Sequence, residues 1–374
     1  MKKILFVSAF VPCDKTAGQN YTRLLLTDLL KSNTVDLICF DAAHHQLDLY
    51  CKSMCRKIKV YSINNINRML GCIQLPFFHP FFVSRFNIFI AYKLYKMVHQ
   101  EKYDWVYLDF SQSFVYGLFL HNTPKILMCH DVISQYYLRK KSILNYKWVL
   151  RTEKRIFSQN NVTLFSFSEK DRAIIVKQYG LSSLVTSFYI CDSIINLPYP
   201  AKVENWFTFY GAWNRLENEE SLSFFLDEIY PLLDVKILIK VVGGGLSNDL
   251  QEKIKREANI DYVGFVDNPY EYLSKSKALI APLKKGAGVK VKVVEAIACG
   301  CPIIGTDVAF EGISEKFSDM MFCAHSPLEY KSIIESINVS FGKRQYNRDL
   351  MISHSRDKVI IEYTLDSQLK FMIK

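Results

Sequence analysis

The residues Lys292 and Glu295 stand three apart in the stretch LKKGAGVKVKVVEAIACGCPIIGTDVAFEGI, Leu283 to Ile313. The apolar run Leu279 to Leu283 has strand character, and Gly286-Ala287-Gly288 can turn without Cβ clashes. From Lys290 onward, Val291, Val294 and Ala298 recur at helical spacing. Such a loop presents unpaired backbone N–H groups at a helix N-terminus. Together with the positive end of the helix dipole they form an anion site, and Lys284, Lys285, Lys290 and Lys292 add charge. Glu295 shares a helix face with Lys292. A phosphate would repel its carboxylate, but a neighbouring ribose could donate two hydroxyls to it. An anion clamp beside a ribose acceptor points to a nucleotide. A surface Lys–Glu pair is the bland alternative, and the glycines, the preceding strand and the turn Ala298-x-Gly300-x-Pro302 weigh against it. The loop lacks the Gly-Lys-Ser/Thr ending of a P-loop, and no G-x-G-x-x-G follows the first apolar run.

The elements that must position this loop alternate between short apolar strands and amphipathic helices. In the first half, strands are expected at Ile4 to Phe10, Val35 to Phe40, Trp105 to Leu108, Ile126 to Cys129 and Thr163 to Ser166, with a helix from Gly18 to Lys31. A second series follows the turn-rich Asn196-Leu-Pro-Tyr-Pro200. Its strands are Phe207 to Tyr210, Lys236 to Val242, Tyr262 to Val266, Ala278 to Pro282 and Pro302 to Gly305. Its helices are Glu219 to Leu233, Leu246 to Ala258, Pro269 to Ser274 and Lys290 to Cys299. Alternation of this kind implies parallel sheets covered on both faces. The chain reads as α/β, with two Rossmann-like domains, 1–195 and 201–355, facing across a cleft. A last helix, 356–374, is expected to cross back and complete the first domain. Ligands of open α/β sheets bind at the carboxyl ends of their strands, so function belongs in strand-to-helix loops. His130-Asp131, after the strand Ile126 to Cys129, is placed for such a role.

Composition bounds the partners. The 374 residues suit two domains, and 49% hydrophobic with 22% charged residues describe a folded chain. The formal charge of +10 favours anionic partners: nucleotides, phosphorylated metabolites or an acidic membrane surface. No RNA-binding or helix-turn-helix pattern is evident, so nucleic acid is not expected. The ten cysteines show no repeated C-x-x-C and no histidines at metal spacing, so no metal is assigned. Cys51, Cys55, Cys299 and Cys301 read as buried small apolar residues. The N-terminal MKKILFVSAFVP is a buried strand rather than a signal peptide. No apolar run reaches the roughly 18 residues of a membrane span. A cytoplasmic protein with reduced thiols is therefore expected. Arg139 to Arg155 holds seven basic residues and one acid among aromatic and aliphatic side chains, and suits either a solvated face or an anionic membrane surface. The run Leu75 to Val98, with Phe77, Phe78, Phe81, Phe82 and Phe86, is expected to pack in the core or a cleft, with a membrane loop as the alternative. Gly243-Gly-Gly245 reads as a tight strand-to-helix turn.

The pattern Gly286-x-Gly288-x-x-x-Lys292-x-x-Glu295-Ala-x-Ala298-x-Gly300-x-Pro302, followed by Glu311-Gly312, resembles the donor-site signature of GT-B-fold, retaining glycosyltransferases of the group 1 (family 4) type. Weaker matches run through nearly the whole chain: Pro12 to Arg23, His130-Asp131-Val132, Ser168-Glu169, Tyr210-Gly-Ala-Trp-x-Arg-x-Glu-Asn218, and Val263-Gly-Phe-Val266. The resemblance implies transfer of a sugar from a nucleotide diphosphate sugar to a glycan or lipid-linked acceptor, with retention, no cofactor and no essential metal. Such enzymes build polysaccharide, lipopolysaccharide or capsule, in the cytoplasm or peripherally on the inner membrane face.

By position, the resemblance gives Glu295 the ribose. Lys292 and the amides of Gly288, Val289 and Lys290 face the diphosphate or sugar, with Gly286 and Ala287 completing the loop. The backbone of Gly264, Phe265 and Val266 meets the base, His130 contacts the transferred sugar, and Gly18 lets the first loop approach the donor. Catalytic roles fall to His130, Lys292 and Arg215. Fixed amides and cations aimed at the departing diphosphate stabilise the transition state more than the ground state. No protein nucleophile is named, because the leaving phosphate oxygen takes the acceptor's proton. Two positions depart from the family pattern. Ala287 stands where an acidic residue is common, and Glu217-Asn218 where a lysine is expected, a loss that Lys290 could offset. A nucleotide-sugar 2-epimerase of the same fold and a non-catalytic nucleotide-sugar-binding protein are the alternatives.

Overall fold

In the computed structural model, residues 1–186, 189–234, 237–286 and 288–355 are described. The chain divides into two compact units, the first ending at Tyr189 and the second beginning at Ile190. That division falls ahead of the proline-interrupted segment 196–200. The helix expected over 356–374 lies outside the described residues.

The first unit is built on a seven-stranded parallel sheet of order β3-β2-β1-β4-β5-β6-β7. Its strands are β1 (Lys3–Ser8), β2 (Thr34–Asp41), β3 (Lys57–Ser62), β4 (Trp105–Asp109), β5 (Lys125–Cys129), β6 (Val162–Ser166) and β7 (Leu184–Val185). The central runs ILFV, VYL and ILM are covered by helices on both faces and almost wholly buried, as fully covered parallel strands must be. Strands β3 and β7 escaped the sequence reading. β3 is mostly exposed, so it lacks the apolar run that marks the interior strands, and β7 has only two residues. The helix Ala17–Leu30 starts where the Thr16 hydroxyl accepts from the Gln19 amide.

The second unit repeats the plan with six parallel strands in the order β10-β9-β8-β11-β12-β13. They are β8 (Trp206–Tyr210), β9 (Leu238–Val242), β10 (Ile260–Gly264), β11 (Leu279–Ala281), β12 (Ile303–Gly305) and β13 (Met321–Cys323). The expected long helix over Glu219 to Leu233 is shorter: Leu216–Phe224 is α-helical, and wider and tighter turns follow to Leu232. Pro231 accounts for the change, since it has no N–H to continue the ladder. A helix absent from the sequence reading, Phe341–Ser355, packs along Val291–Ala298. Its buried Arg344 donates to the carbonyls of Gly300 (2.7 Å) and Ser276 (2.7 Å). Among the described residues, no helix is long and apolar enough to cross a membrane.

In each sheet the strand order reverses direction at one point, between β1 and β4 in the first unit and between β8 and β11 in the second. Loops leaving neighbouring strands diverge there to opposite faces and open a crevice at the carboxyl ends. Most of the predicted site residues follow these strands or their immediate neighbours, while Gly264, Phe265 and Val266 lie at the end of the edge strand β10.

Candidate active site

In the second unit, Lys292 and Glu295 occupy the first two turns of Val291–Ala298, and both are half-buried. The Lys292 ammonium donates to Asn218 Oδ1 at 2.7 Å. Asn218 in turn donates through Nδ2 to the Ala212 carbonyl at 2.8 Å, so one amide fixes both the lysine and the loop after β8. Burial lowers Lys292 to about 8, and the neighbouring charge of Arg215 pushes the same way. Glu295 accepts from the Tyr270 hydroxyl at 3.0 Å and is also bonded by Tyr210. Burial raises its carboxyl to about 7 against the pull of those two phenols and of Lys292. The pair thus forms a partly desolvated cation and anion one helical turn apart. Each is held by a residue from another element.

Gly286 and Gly288 both have positive φ, 123° and 68°, conformations that side-chain-bearing residues rarely adopt. The helix begins at Lys290 with no cap bond from that residue's side chain. Lys290 itself turns back on the loop: its ammonium donates to the Gly288 carbonyl and lies 3.6 Å from the buried Glu311. This gives Glu311 a role that the motif alone did not. Lys284 and Lys285, expected to add charge at the anion site, face the helix Leu216–Phe224 instead. Lys284 lies over the Phe224 ring at 3.3 Å, and Lys285 pairs with Glu220 at 2.7 Å. Arg215 is 64% exposed and bonded to Glu217 at 2.8 Å, so it reaches Lys292 only through its field. Val289 is half-buried, and Ala287 lies outside the described residues.

The other predicted donor positions sit across the same sheet. β10 ends at Gly264, not at Val266, and Phe265 is 78% exposed. Gly264 accepts from the Gly243 amide at 2.8 Å. Gly243 has φ 119°, and a Cβ there would lie 1.9 Å from the Gly211 carbonyl oxygen. The glycine run after β9 is thus a tight turn, and the β8 and β9 loops touch backbone to backbone. Trp213, fully buried, closes the β8 loop by donating to the Val242 carbonyl at 3.2 Å.

In the first unit, His130 directly follows β5, and its Nε2 lies 2.8 Å from Asp109 Oδ1 at the end of β4. Asp109 is fully buried and also accepts from Thr22 (2.5 Å) and Ser8 (3.4 Å). A carboxylate at Nε2 selects the tautomer protonated there and leaves Nδ1 as an acceptor. The ring stacks on Phe110, with centroids 3.8 Å apart, and meets Tyr21 and Phe167 edge-on. Phe110 itself has φ 63°, a costly conformation for an aromatic residue and the kind of strain that collects at functional sites. Gly18 lies in the first turn of its helix rather than in the preceding loop. A Cβ there would come within 2.9 Å of Phe110 and 3.8 Å of His130 Nδ1, so its smallness makes room for that stack.

Asp109 and Tyr270 are functional neighbours that sequence reasoning missed. Asn218 and Tyr210 were inside a quoted motif but had no role. The signal for Asp109 was an acid ending an otherwise apolar strand. The cysteines at 51, 55, 299 and 301 are buried as expected. Cys323, however, does have a histidine close by: Asp307, Cys323 and His325 bring one ligand-type atom each within 4.8 Å of the others. Asp307 and His325 are largely exposed.

Two units of alternating strands and helices, each with its polar cluster at the sheet's reversal point, define a fold shared with known proteins. The structure of Anabaena HepE in complex with UDP and glucose aligns over 99% of this chain and 100% of that one, at a TM-score of 0.61 and 15% identity. Sucrose-phosphate synthase from Thermosynechococcus elongatus aligns over 100% and 99%, with a TM-score of 0.66 and 15% identity. WaaG, a glycosyltransferase involved in lipopolysaccharide biosynthesis, aligns over 99% of both chains, at 0.63 and 11%. The fold is GT-B. Residues 204–337, within the second unit, match the family model of glycosyl transferases group 1. A curated relative, an uncharacterized 44.6 kDa protein in the cps region of Klebsiella pneumoniae, is 23% identical over 91% of this chain and 92% of its own length.

Proposed function

We propose that the protein transfers a sugar from a nucleoside diphosphate sugar to a glycan or lipid-linked acceptor of a surface polysaccharide, with retention and without an essential metal. The observation that carries this reading is the Lys292–Glu295 pair. A desolvated ammonium held by Asn218 and a carboxylate held by two tyrosines stand one turn apart at the start of a helix, behind a loop with two positive-φ glycines. Lys292 and the loop amides meet the diphosphate, Glu295 accepts from the ribose hydroxyls, and the backbone around Gly264 meets the base. His130 offers Nδ1 to a hydroxyl of the transferred sugar. The bond from sugar carbon to phosphate oxygen breaks, the acceptor oxygen bonds to that carbon, and its proton passes to the leaving phosphate. Charge grows on the diphosphate as this happens, and the preset cation and amides stabilise that growth. HepE binds UDP and glucose, which makes UDP the first nucleotide to test. Thermal stabilisation is measured with UDP, GDP, ADP and CMP and their sugar conjugates, with and without EDTA. A chelator-insensitive shift with one nucleoside diphosphate is expected, and no shift with any of them would overturn the reading.

The same reading places the first unit against an anionic membrane surface. The helix Asn65–Gln74 exposes Ile66, Met69 and Ile73, and beside it Phe77 is 83% exposed. The expected burial of the phenylalanine run holds for Phe78, Phe82 and Phe86 but not for Phe77. The Trp148 indole donates to the Phe77 carbonyl at 3.1 Å, joining this apolar surface to the basic segment. All seven basic residues of Arg139 to Arg155 are exposed. Apolar insertion beside a basic face is the chemistry that anionic lipid recruits.

A further inference from the structure

The basic segment contains a single acid, Glu153, and it alone among the charged residues there is fully buried. It lies on the helix Ile143–Phe157 with Val149 and Ile156, the stripe that faces the core. Its carboxylate caps a different helix. Oε1 accepts from the Ile133 amide at 2.7 Å and Oε2 from the Ser134 amide at 3.2 Å, and the Tyr179 hydroxyl also donates to Oε2. Ile133 opens the helix Ile133–Arg139, whose N-cap residue, Val132, has no side chain able to satisfy those amides. Only Asp131 and Val132 separate this anchored turn from His130. Both ends of that short connection are fixed: the Cys129 thiol reaches the Asp131 carbonyl at 3.2 Å, and Val132 is 1% exposed.

We infer that Glu153 is a positioning residue for His130. It holds the turn after β5 from below, as Asp109 holds the imidazole from the neighbouring strand. A carboxylate in an apolar stripe costs stability, and burial raises its pKa to about 7. Two backbone amides and a phenol aimed at it show what that cost maintains. The inference rests on the proposed role of His130, but its test can be read without it.

His130 lies against Phe110 and edge-on to Tyr21 and Phe167, so its ring C–H resonances carry ring-current shifts that report the ring's position. They are followed in protein labelled with 13C-histidine and assigned with His130→Ala. Glu153→Gln keeps the shape but puts an amide NH2 against groups that themselves donate. In the folded variant the His130 resonances are expected to move while the other seven histidines stay in place. Turnover falls tenfold or more, and the affinity for UDP stays within twofold. Unmoved His130 resonances in folded Glu153→Gln would overturn the inference. Should that variant not fold, Tyr179→Phe decides: it removes one donor and should move the same resonances partway, and no movement refutes the anchor. If His130→Ala leaves sugar transfer intact, the role of His130 fails, while the resonances still judge Glu153 separately.

Discussion

Replacing Glu295 by glutamine should make the unliganded protein more stable and the nucleotide complex weaker, and pH should separate the two effects. The Glu295 carboxyl is held at about 7 against an ordinary 4.5, a difference of roughly 3 kcal/mol at 1.36 kcal/mol per pH unit. Glu295 is half-buried, so solvent screening reduces this to about 1–3 kcal/mol. The sign follows from proton linkage. Below pH 4.5 the group is protonated in both folded and unfolded chains, and its ionisation costs nothing. As pH rises through 7 the folded chain must carry the ionised form in a poor environment, and stability falls. Glutamine never ionises and still accepts from Tyr210 and Tyr270. Glu295→Gln should therefore raise the second unit's melting temperature by several degrees at pH 8 and leave it nearly unchanged at pH 4.5. Charge-assisted bonds to ribose hydroxyls are worth about 1.5–3 kcal/mol, so UDP affinity at pH 8 should drop by roughly 10- to 150-fold. Scanning calorimetry at both pH values and titration calorimetry with UDP measure the two quantities. An equal change in melting temperature at both pH values would refute the burial argument, and undiminished UDP affinity would refute the ribose assignment.

Lys292→Met removes the charge while filling the space. It should lower turnover by a hundredfold or more, with a smaller loss of UDP affinity, because the diphosphate gains charge only as the bond breaks; equal losses in both would contradict this. Asp109→Asn should leave UDP binding unchanged but cut turnover at least tenfold, by releasing the His130 tautomer. Gly243→Ala would press a Cβ against the Gly211 carbonyl and should destabilise the second unit by more than about 2 kcal/mol in denaturant melts. The protein should co-sediment with phosphatidylglycerol vesicles at low salt and be released at high salt. Replacing Ile66 and Phe77 by serine should weaken that binding without affecting UDP affinity.

The lettering of the sequence revealed strands and loops better than it revealed partners. Interior strands such as β1, β4 and β5 stand out because both faces are covered and their central residues, ILFV, VYL and ILM, are buried and largely apolar. β3 is an exposed edge and carries lysines, so it has no such signature. Lys292 and Glu295 were legible because a glycine turn and a helix period flank them. That Lys284 and Lys285 turn to Phe224 and Glu220 was not legible, since the residues that attract them lie on a helix some sixty positions earlier, at a distance set only by the sheet. Lys290 shows the same effect. Its charge suits an anion, but Glu311, brought up by the loop after β12, engages it first.

Sheet order explains which partners escaped. β4 pairs directly with β5, so the acid ending β4 lands beside the histidine that follows β5. β8 pairs with β11, although β9 and β10 intervene in sequence, so Tyr210 and Asn218 from the β8 side meet the helix that follows β11. In both units a functional side chain is held by a polar residue leaving the neighbouring strand at its carboxyl end. The spacing along the chain is 21 residues for Asp109–His130 and 74 for Asn218–Lys292. No local pattern spans such separations. A parallel sheet, however, brings the carboxyl ends of adjacent strands within hydrogen-bond reach of one another's loops. Polar residues that end apolar strands are therefore the first places to look for the groups that orient a predicted catalytic residue. Glu153 extends the rule to a covering helix: an acid in its apolar stripe satisfies the helix start beside His130, and that placement separates it from the seven exposed bases around it.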